Sequence, residues 1–190
     1  MIVCGGTLGI FIAHSLQLKG LQVCVVEGAK LQGREQEWNI SLDEMNELVE
    51  LGVLLESDLD ECIMTEFPVC RSGFKNEEMS VDGKGGYGEN GIGYELDTPN
   101  VLNLGIAPKI LIKNVMERFI ESGGVVLEST PIKGVVVSKS LGAAVDIDIS
   151  DIVGTAGDDA DNDNDKNKNT IITSKLVLDC MGNGSPISRQ

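Results

Sequence analysis

Apolar positions crowd the start of the chain in two different rhythms. Ile2 and Val3 end a short apolar run, and a glycine-rich turn, "CGGTLG" (4–9), follows. From Thr7 to Lys19, "TLGIFIAHSLQLK" is mostly apolar and free of proline, which predicts a helix that Gly20 stops. "LQVCVVE" (21–27) is then a β-prone run that ends in an acid. Ser41 with Glu44 forms a capping box, and Leu42, Met45, Leu48 and Val49 mark one face of a helix that Gly52 ends. Ser57 with Asp60 predicts a second short helix through about Met64, and 71–100 reads as a glycine-rich loop. Pro108 opens an amphipathic helix whose apolar positions are Ile110, Leu111, Val115, Phe119 and Ile120, stopped at Gly123–Gly124. Four β-prone runs close the chain: "VVLES", "IKGVVVS", "AAVDIDIS" and "TIITSKLVLDC". The pattern predicts an α/β chain that opens on a β-α-β unit.

That opening unit carries the first candidate chemistry. The dinucleotide-binding fingerprint is Gly-x-Gly-x-x-Gly between a strand and a helix, with an acid about 20 residues further on. Here Gly6 and Gly9 stand at the second and third glycine positions, Cys4 stands at the first, and Gly5, Thr7 and Leu8 lie between. Glu27 falls at the acid's position, at the end of the second β-prone run. A carboxylate there accepts hydrogen bonds from both ribose hydroxyls and repels a 2′-phosphate, so FAD or NAD suits it better than NADP. Two formal matches to the motif inside 83–93 lack a preceding strand and a following helix, and glycine richness alone accounts for them. The first glycine serves the geometry of the turn, and with Gly5 and Gly6 directly behind it a cysteine is expected to be tolerated.

Composition narrows the field. With 30 acids against 15 bases the formal charge is −15, which argues against nucleic acid and against anionic membrane surfaces. No apolar run approaches the roughly 20 residues that span a bilayer. No signal or transit peptide is visible. Five cysteines (4, 24, 62, 70, 180) form no Cys-x-x-Cys pair, and His14 is the only histidine, so a zinc site has little support and free thiols are expected. His14, inside the first helix, reads as structural. The Asp/Asn-rich stretch at 154–169 places Lys166 and Ile172 where a calcium loop needs Gly and Glu, so it reads as a solvated insert. The final "LVLDCMGNGSPISRQ" brings Asp179, then Gly182 and Ser185, then Arg189, off a strand end.

Five stretches together resemble a known family: "CGGTLGIF" (4–11), "GREQEWNIS" (33–41), "VLNLGIAP" (101–108), "SGGVVLE" (122–128) and "LDCMGNGSP" (178–186). They are similar to the N-terminal part of the CruA/CruP branch of lycopene cyclase-like flavoproteins. The resemblance implies a Rossmann-like FAD-binding domain, a parallel sheet with an added β-meander, of the geranylgeranyl reductase and aromatic hydroxylase type. It implies that Gly5, Gly6, Thr7, Leu8, Gly9 and Glu27 hold the ADP half of FAD. Arg34 is expected to steady the ribose or pyrophosphate, and Asp179 and Gly182 to approach the phosphates and the flavin. Trp38 and Asn39 belong to the motif without a role of their own. The expected substrate is a carotenoid or other isoprenoid, NADPH is a candidate external reductant, and the setting is a plastid or cyanobacterial cell. On this expectation residues 1–190 are one FAD-binding domain with insertions at about 75–97 and 154–169, and the substrate domain, with any peripheral membrane contact, lies outside the chain. Two other readings stay open: an NAD-dependent Rossmann dehydrogenase, for which no Tyr-x-x-x-Lys pair is present, and a catalytically silent nucleotide-binding or interaction chain.

Overall fold

A four-stranded parallel sheet organises the computed structural model, which describes residues 1–75, 93–138, 140, 142–148 and 169–188. In chain order the first half holds β1 (Ile2–Cys4), α1 (Thr7–Leu18), β2 (Cys24–Val26), β3 (Trp38–Ile40), α2 (Leu42–Glu50), α3 (Glu56–Cys62), β4 (Ile63–Glu66) and β5 (Cys70–Lys75). The second half holds β6 (Gly93–Thr98), β7 (Leu104–Ile106), α4 (Pro108–Glu121), β8 (Val125–Leu127), β9 (Ile132–Ser138), β10 (Gly142–Asp148), β11 (Asn169–Ser174) and β12 (Val177–Asp179). The parallel sheet runs β12-β1-β2-β8, with Ile2 level with Val177 on one side and Cys24 on the other. The mixed α/β class, the parallel sheet and the added meander agree with the sequence-based expectation.

Both faces of this sheet are covered, as parallel strands require. Val3 and Val25 point toward α1 and α4, where they pack with Ile10, Ala13, Leu111, Val115 and Phe119. Ile2, Cys4 and Val26 point the other way, onto Ile132, Val135 and Ile172 of the antiparallel meander β9-β10-β11. On α4 the buried stripe is Leu111, Ile112, Val115 and Phe119; Ile120, expected inside, is 49% exposed. Ile112 replaces it because the contact surface follows the 4-residue diagonal through 108, 112 and 115–119. Burying Phe119 alone stabilises the fold by about 2–3 kcal/mol. His14 lies against the edge of the Phe119 ring with centroids 6.3 Å apart, and burial together with Arg118 pushes its pKa down, so it packs as a neutral ring.

Several elements differ from the sequence pattern. The stretch expected to be one loop, 71–100, is bracketed by β5 and β6, which pair antiparallel from Cys70↔Thr98 to Lys75↔Gly93. Its glycine-rich centre and most of the 154–169 insert lie outside the described residues, as does Arg189. The last β-prone run is two strands, β11 and β12, in different sheets. A small antiparallel sheet β3-β7-β4 joins the "EWNI" and "NLGI" segments, pairing Ile40 with Leu104. Helix α3 starts two residues earlier than expected: Leu55 N–H donates to the Asp58 carboxylate at 2.7 Å, and the helix gives way to β4 at Ile63.

The capping box on α2 forms as the sequence predicts. Glu44 N–H donates to Ser41 Oγ at 3.2 Å, and Ser41 N–H donates to the Glu44 carboxylate at 2.9 Å. Those bonds hold the Glu44 carboxyl below its ordinary pKa. The associated stability is therefore present above the ordinary glutamate range and is lost as pH falls through the lowered folded value. Ser41→Ala is expected to cost about 1 kcal/mol, read by urea unfolding at neutral pH, and the deficit against wild type should shrink in acid.

Candidate functional site

The sheet order creates one special place. From β1 the chain steps through β2 to β8, then returns across the meander to lay β12 on the opposite side of β1. Strand order therefore reverses between β1 and β12, and ligands of open α/β sheets bind beyond the carboxyl ends of the strands at such a point.

The glycine turn sits there. Gly5 (φ +56°) and Gly6 (φ +80°) both take left-handed backbone, and Gly5 N–H donates to the Val26 carbonyl at 2.8 Å. A side chain on Gly6 would place its Cβ 2.2 Å from the carbonyl oxygen of Cys180, so only glycine lets the late turn cross this close. At Gly9 an added Cβ would meet Val3 at 3.1 Å and Cys180 at 3.4 Å, which is how α1 lies tight on the strands. Cys4 needs no such freedom. It ends β1 wholly buried among Ile2 and Val26, away from the crevice, and burial, aided by Asp179, pushes its thiol up to about 12. A side chain at the first glycine position is thus accommodated in the sheet's other face.

Glu27 follows β2 and turns back over the glycine loop. Its Oε2 accepts from Gly6 N–H at 2.9 Å and its Oε1 from Ala29 N–H at 3.2 Å. These two bonds fix the carboxylate at the mouth of an open cleft of ≈ 460 Å³. Gly6, Thr7 and Glu27 line it, with Leu31, Met181 and Gly184 opposite. Helix α1 points its start into the cleft, with no acid in its first turn and no side-chain cap. Its first N–H groups have no intrahelical acceptor, and the helix dipole favours an anion there.

Asp179 is engaged elsewhere. Its Oδ1 accepts from Met181 N–H at 3.0 Å, and its Oδ2 accepts from the Ser185 hydroxyl at 2.6 Å. Ser185 is fully buried and its Oγ accepts in turn from Ile187 N–H at 3.0 Å. Asp179 therefore braces the single 3-10 turn Gly182–Gly184, and that turn presents Met181 and Gly184 to the cleft. Gly182 (φ +70°) supplies the bend and is exposed.

Of the residues singled out in the sequence, the structure brings Gly6, Thr7 and Glu27 together as walls of one cleft, with Gly5 and Gly9 shaping the turn behind them. Leu8 is 66% exposed on the outer side of α1. Arg34 lies with its guanidinium 6.0 Å from the centre of the Trp38 ring and is not among the cleft's lining residues. That contact also gives Trp38 a role, as the anchor of the loop between β2 and β3. Sequence reasoning missed Lys30, Leu31, Gln32 and Met181; the first three come three to five residues after Glu27, and Met181 lies inside the late glycine motif. Glu27 and Lys30 are the titratable side chains on the cleft. The arrangement can hold an anion and a diol.

No protein-family model matches the sequence. No curated protein matches it either. Among solved structures the fold is similar to the flavin-dependent halogenase CmlS, with a TM-score of 0.65 and 17% identity over 99% of this chain. It is similar to a mutant of the halogenase PltM in complex with FAD, at a TM-score of 0.65 and 14% identity over 100% of this chain. It is also similar to a flavoprotein/dehydrogenase from Cytophaga hutchinsonii, at a TM-score of 0.57 and 16% identity over 94% of this chain. The chain spans 30% of the length of the first, 35% of the second and 38% of the third. The fold is that of the FAD-binding part of flavoproteins.

Proposed function

We propose that this chain is the FAD-binding part of a lycopene cyclase-like flavoprotein oxidoreductase whose whole length acts on carotenoid or related isoprenoid substrates. The observation that carries the cofactor reading is the Glu27 carboxylate, tied beside the glycine turn at the point where strand order reverses. In this reading Glu27 accepts from the adenosine ribose hydroxyls. The N–H groups at the start of α1 meet the pyrophosphate. Gly5 and Gly6 let the backbone approach it, and the turn braced by Asp179 leans over from β12. Bound FAD supplies hydride or electrostatic chemistry; the chain's own residues bind it, orient it and exclude water.

The substrate reading rests on the resemblance, two of whose motifs lie side by side in the fold. "GREQEWNIS" and "VLNLGIAP" meet as neighbouring strands β3 and β7, and Gly33 packs so tightly on Pro108 that an added Cβ would lie 2.1 Å from its carbonyl carbon. Such a substrate is lipid-soluble, which favours peripheral membrane association of the whole protein; the plastid or cyanobacterial setting rests on the resemblance. Purified chain is expected to be yellow and to release stoichiometric FAD on denaturation. Colourless protein that takes up NAD and not FAD would overturn the reading in favour of a dehydrogenase.

A further inference from the structure

A second cavity opens beside the crevice and shares its wall at Lys30, Leu31 and Gln32. Its volume is also ≈ 460 Å³, and it lies between the loop after β2 and the first three turns of α4. The walls divide by chemistry. Leu31, Ile110 and Met116 form an apolar floor, and Lys30, Lys109 and Lys113 stand around it with one acid, Glu117. Three cations on one cavity are unexpected in a chain whose formal charge is −15.

The lysines are not committed to one another's neighbours in a way that closes the site. Lys30 has no ion-pair partner among the described residues. Lys109 pairs with Glu35, whose side chain is 82% exposed, and Lys113 pairs with Glu117 at 3.4 Å with 53% exposure. Exposed pairs of this kind contribute little, so both carboxylates can swing into water when a stronger anion arrives. What remains is a set of three lysines around an apolar floor, outnumbering the one acid, Glu117, that shares the wall. A phosphate is a better match for it than a carboxylate, because its several oxygens can accept from three donors at once.

We propose that this cavity binds a second small molecule, one that carries a phosphate group on an apolar or aromatic body. The phosphate accepts from Lys30, Lys109 and Lys113, and the body lies on Leu31, Ile110 and Met116. The site stands on its own walls and does not require that the crevice hold FAD. Two sources share this chemistry: a phosphorylated nicotinamide dinucleotide, and a prenyl diphosphate.

The test measures binding to the 190-residue chain by calorimetry with FAD at saturating concentration, so that the crevice is not available to the probe. The probes are NADPH against NADH, and farnesyl diphosphate against farnesol. The expected result is that in one pair the member with the additional phosphate or diphosphate group binds about tenfold or more tighter, the size of charge-assisted hydrogen bonds to an ion; which pair does so identifies the source. The double variant Lys109→Gln, Lys113→Gln, at two lysines that do not line the crevice, should erase that difference while the member without the extra phosphate binds nearly as before and FAD retention is unchanged. Both lysines are exposed, so the variant is expected to fold. Equal binding within both pairs overturns the proposal, as does a lysine variant that binds like wild type. A lysine variant that also loses FAD overturns it too, since the cavity would then be part of the flavin's own seat. A chain that never retains FAD removes the function proposed above, and this proposal is then read from the Lys109→Gln, Lys113→Gln variant, whose two positions lie outside the crevice.

Discussion

Gly6→Ala is expected to lower stability by about 3–5 kcal/mol, a large part of the roughly 5–15 kcal/mol that holds a domain together. Two separate costs act at this position. The backbone at φ +80° and ψ 147° lies in a region that side-chain-bearing residues avoid, which accounts for about 1–3 kcal/mol. The new methyl would also sit 2.2 Å from the Cys180 carbonyl oxygen. That atom is backbone, so relief requires moving the whole turn after β12, including the Cys180 N–H bond to the Cys4 carbonyl at 2.9 Å. Gly182→Ala separates the costs: Gly182 has φ +70°, yet an added Cβ there meets nothing within 4 Å. It should lose only the backbone share. Thermal unfolding should place Gly6→Ala about 10 °C below wild type and Gly182→Ala between the two. Equal losses in the two variants would show that the late turn does not press on the glycine loop.

What could be read in the sequence, and what could not, follows the range of the interactions involved. The opening β-α-β unit was legible because each of its signals is local: an apolar run, glycines at a fixed spacing, and an acid at a strand end. The same holds for α2, whose cap is closed by residues three apart, and for α4, opened by a proline. Strands β3, β4 and β7 were not legible, since three or four residues are too few to show alternation and their partners lie tens of residues away. β5 and β6 were hidden for another reason: "CRSGFK" and "GYELDT" carry glycine and charge, and only their pairing makes them strands.

The candidate site divides in the same way. Which residues reach the crevice was partly legible; what each carboxylate or guanidinium does once there was not. Asp179 ends a strand at the crevice as the motif suggests, and Ser185, six residues further on, turns its carboxylate inward. Arg34 follows β2 as expected, and Trp38, four residues on, takes its guanidinium. Each was decided by a competing partner nearby. Glu27 escaped this outcome because its own competitors, Gly6 N–H and Ala29 N–H, hold it at the mouth of the cleft and leave lone pairs facing the solvent.

Glu27 is therefore where loss of the cofactor should be largest. Under the proposed function, Glu27→Arg removes two charge-assisted hydrogen bonds to the ribose hydroxyls, each worth about 1.5–3 kcal/mol. It also leaves the Gly6 and Ala29 N–H groups without their acceptor. A weakening of FAD binding by about 3–5 kcal/mol follows, on the order of 10²–10⁴ in Kd. Glu27→Gln divides the effect, because its amide oxygen still accepts while the charge is gone; a loss of about tenfold is expected there. FAD retained through gel filtration and a fluorescence titration measure both, with circular dichroism to show that each variant keeps its secondary structure. The charge reversal has a second consequence that a structural role for Glu27 would not produce. An arginine at the end of β2 repels no 2′-phosphate, so preference within the crevice should move from nonphosphorylated toward 2′-phosphorylated adenosine ligands, 2′-AMP gaining on AMP. FAD affinity untouched by either substitution would mean that the ribose lies elsewhere and that the carboxylate only pins the loop.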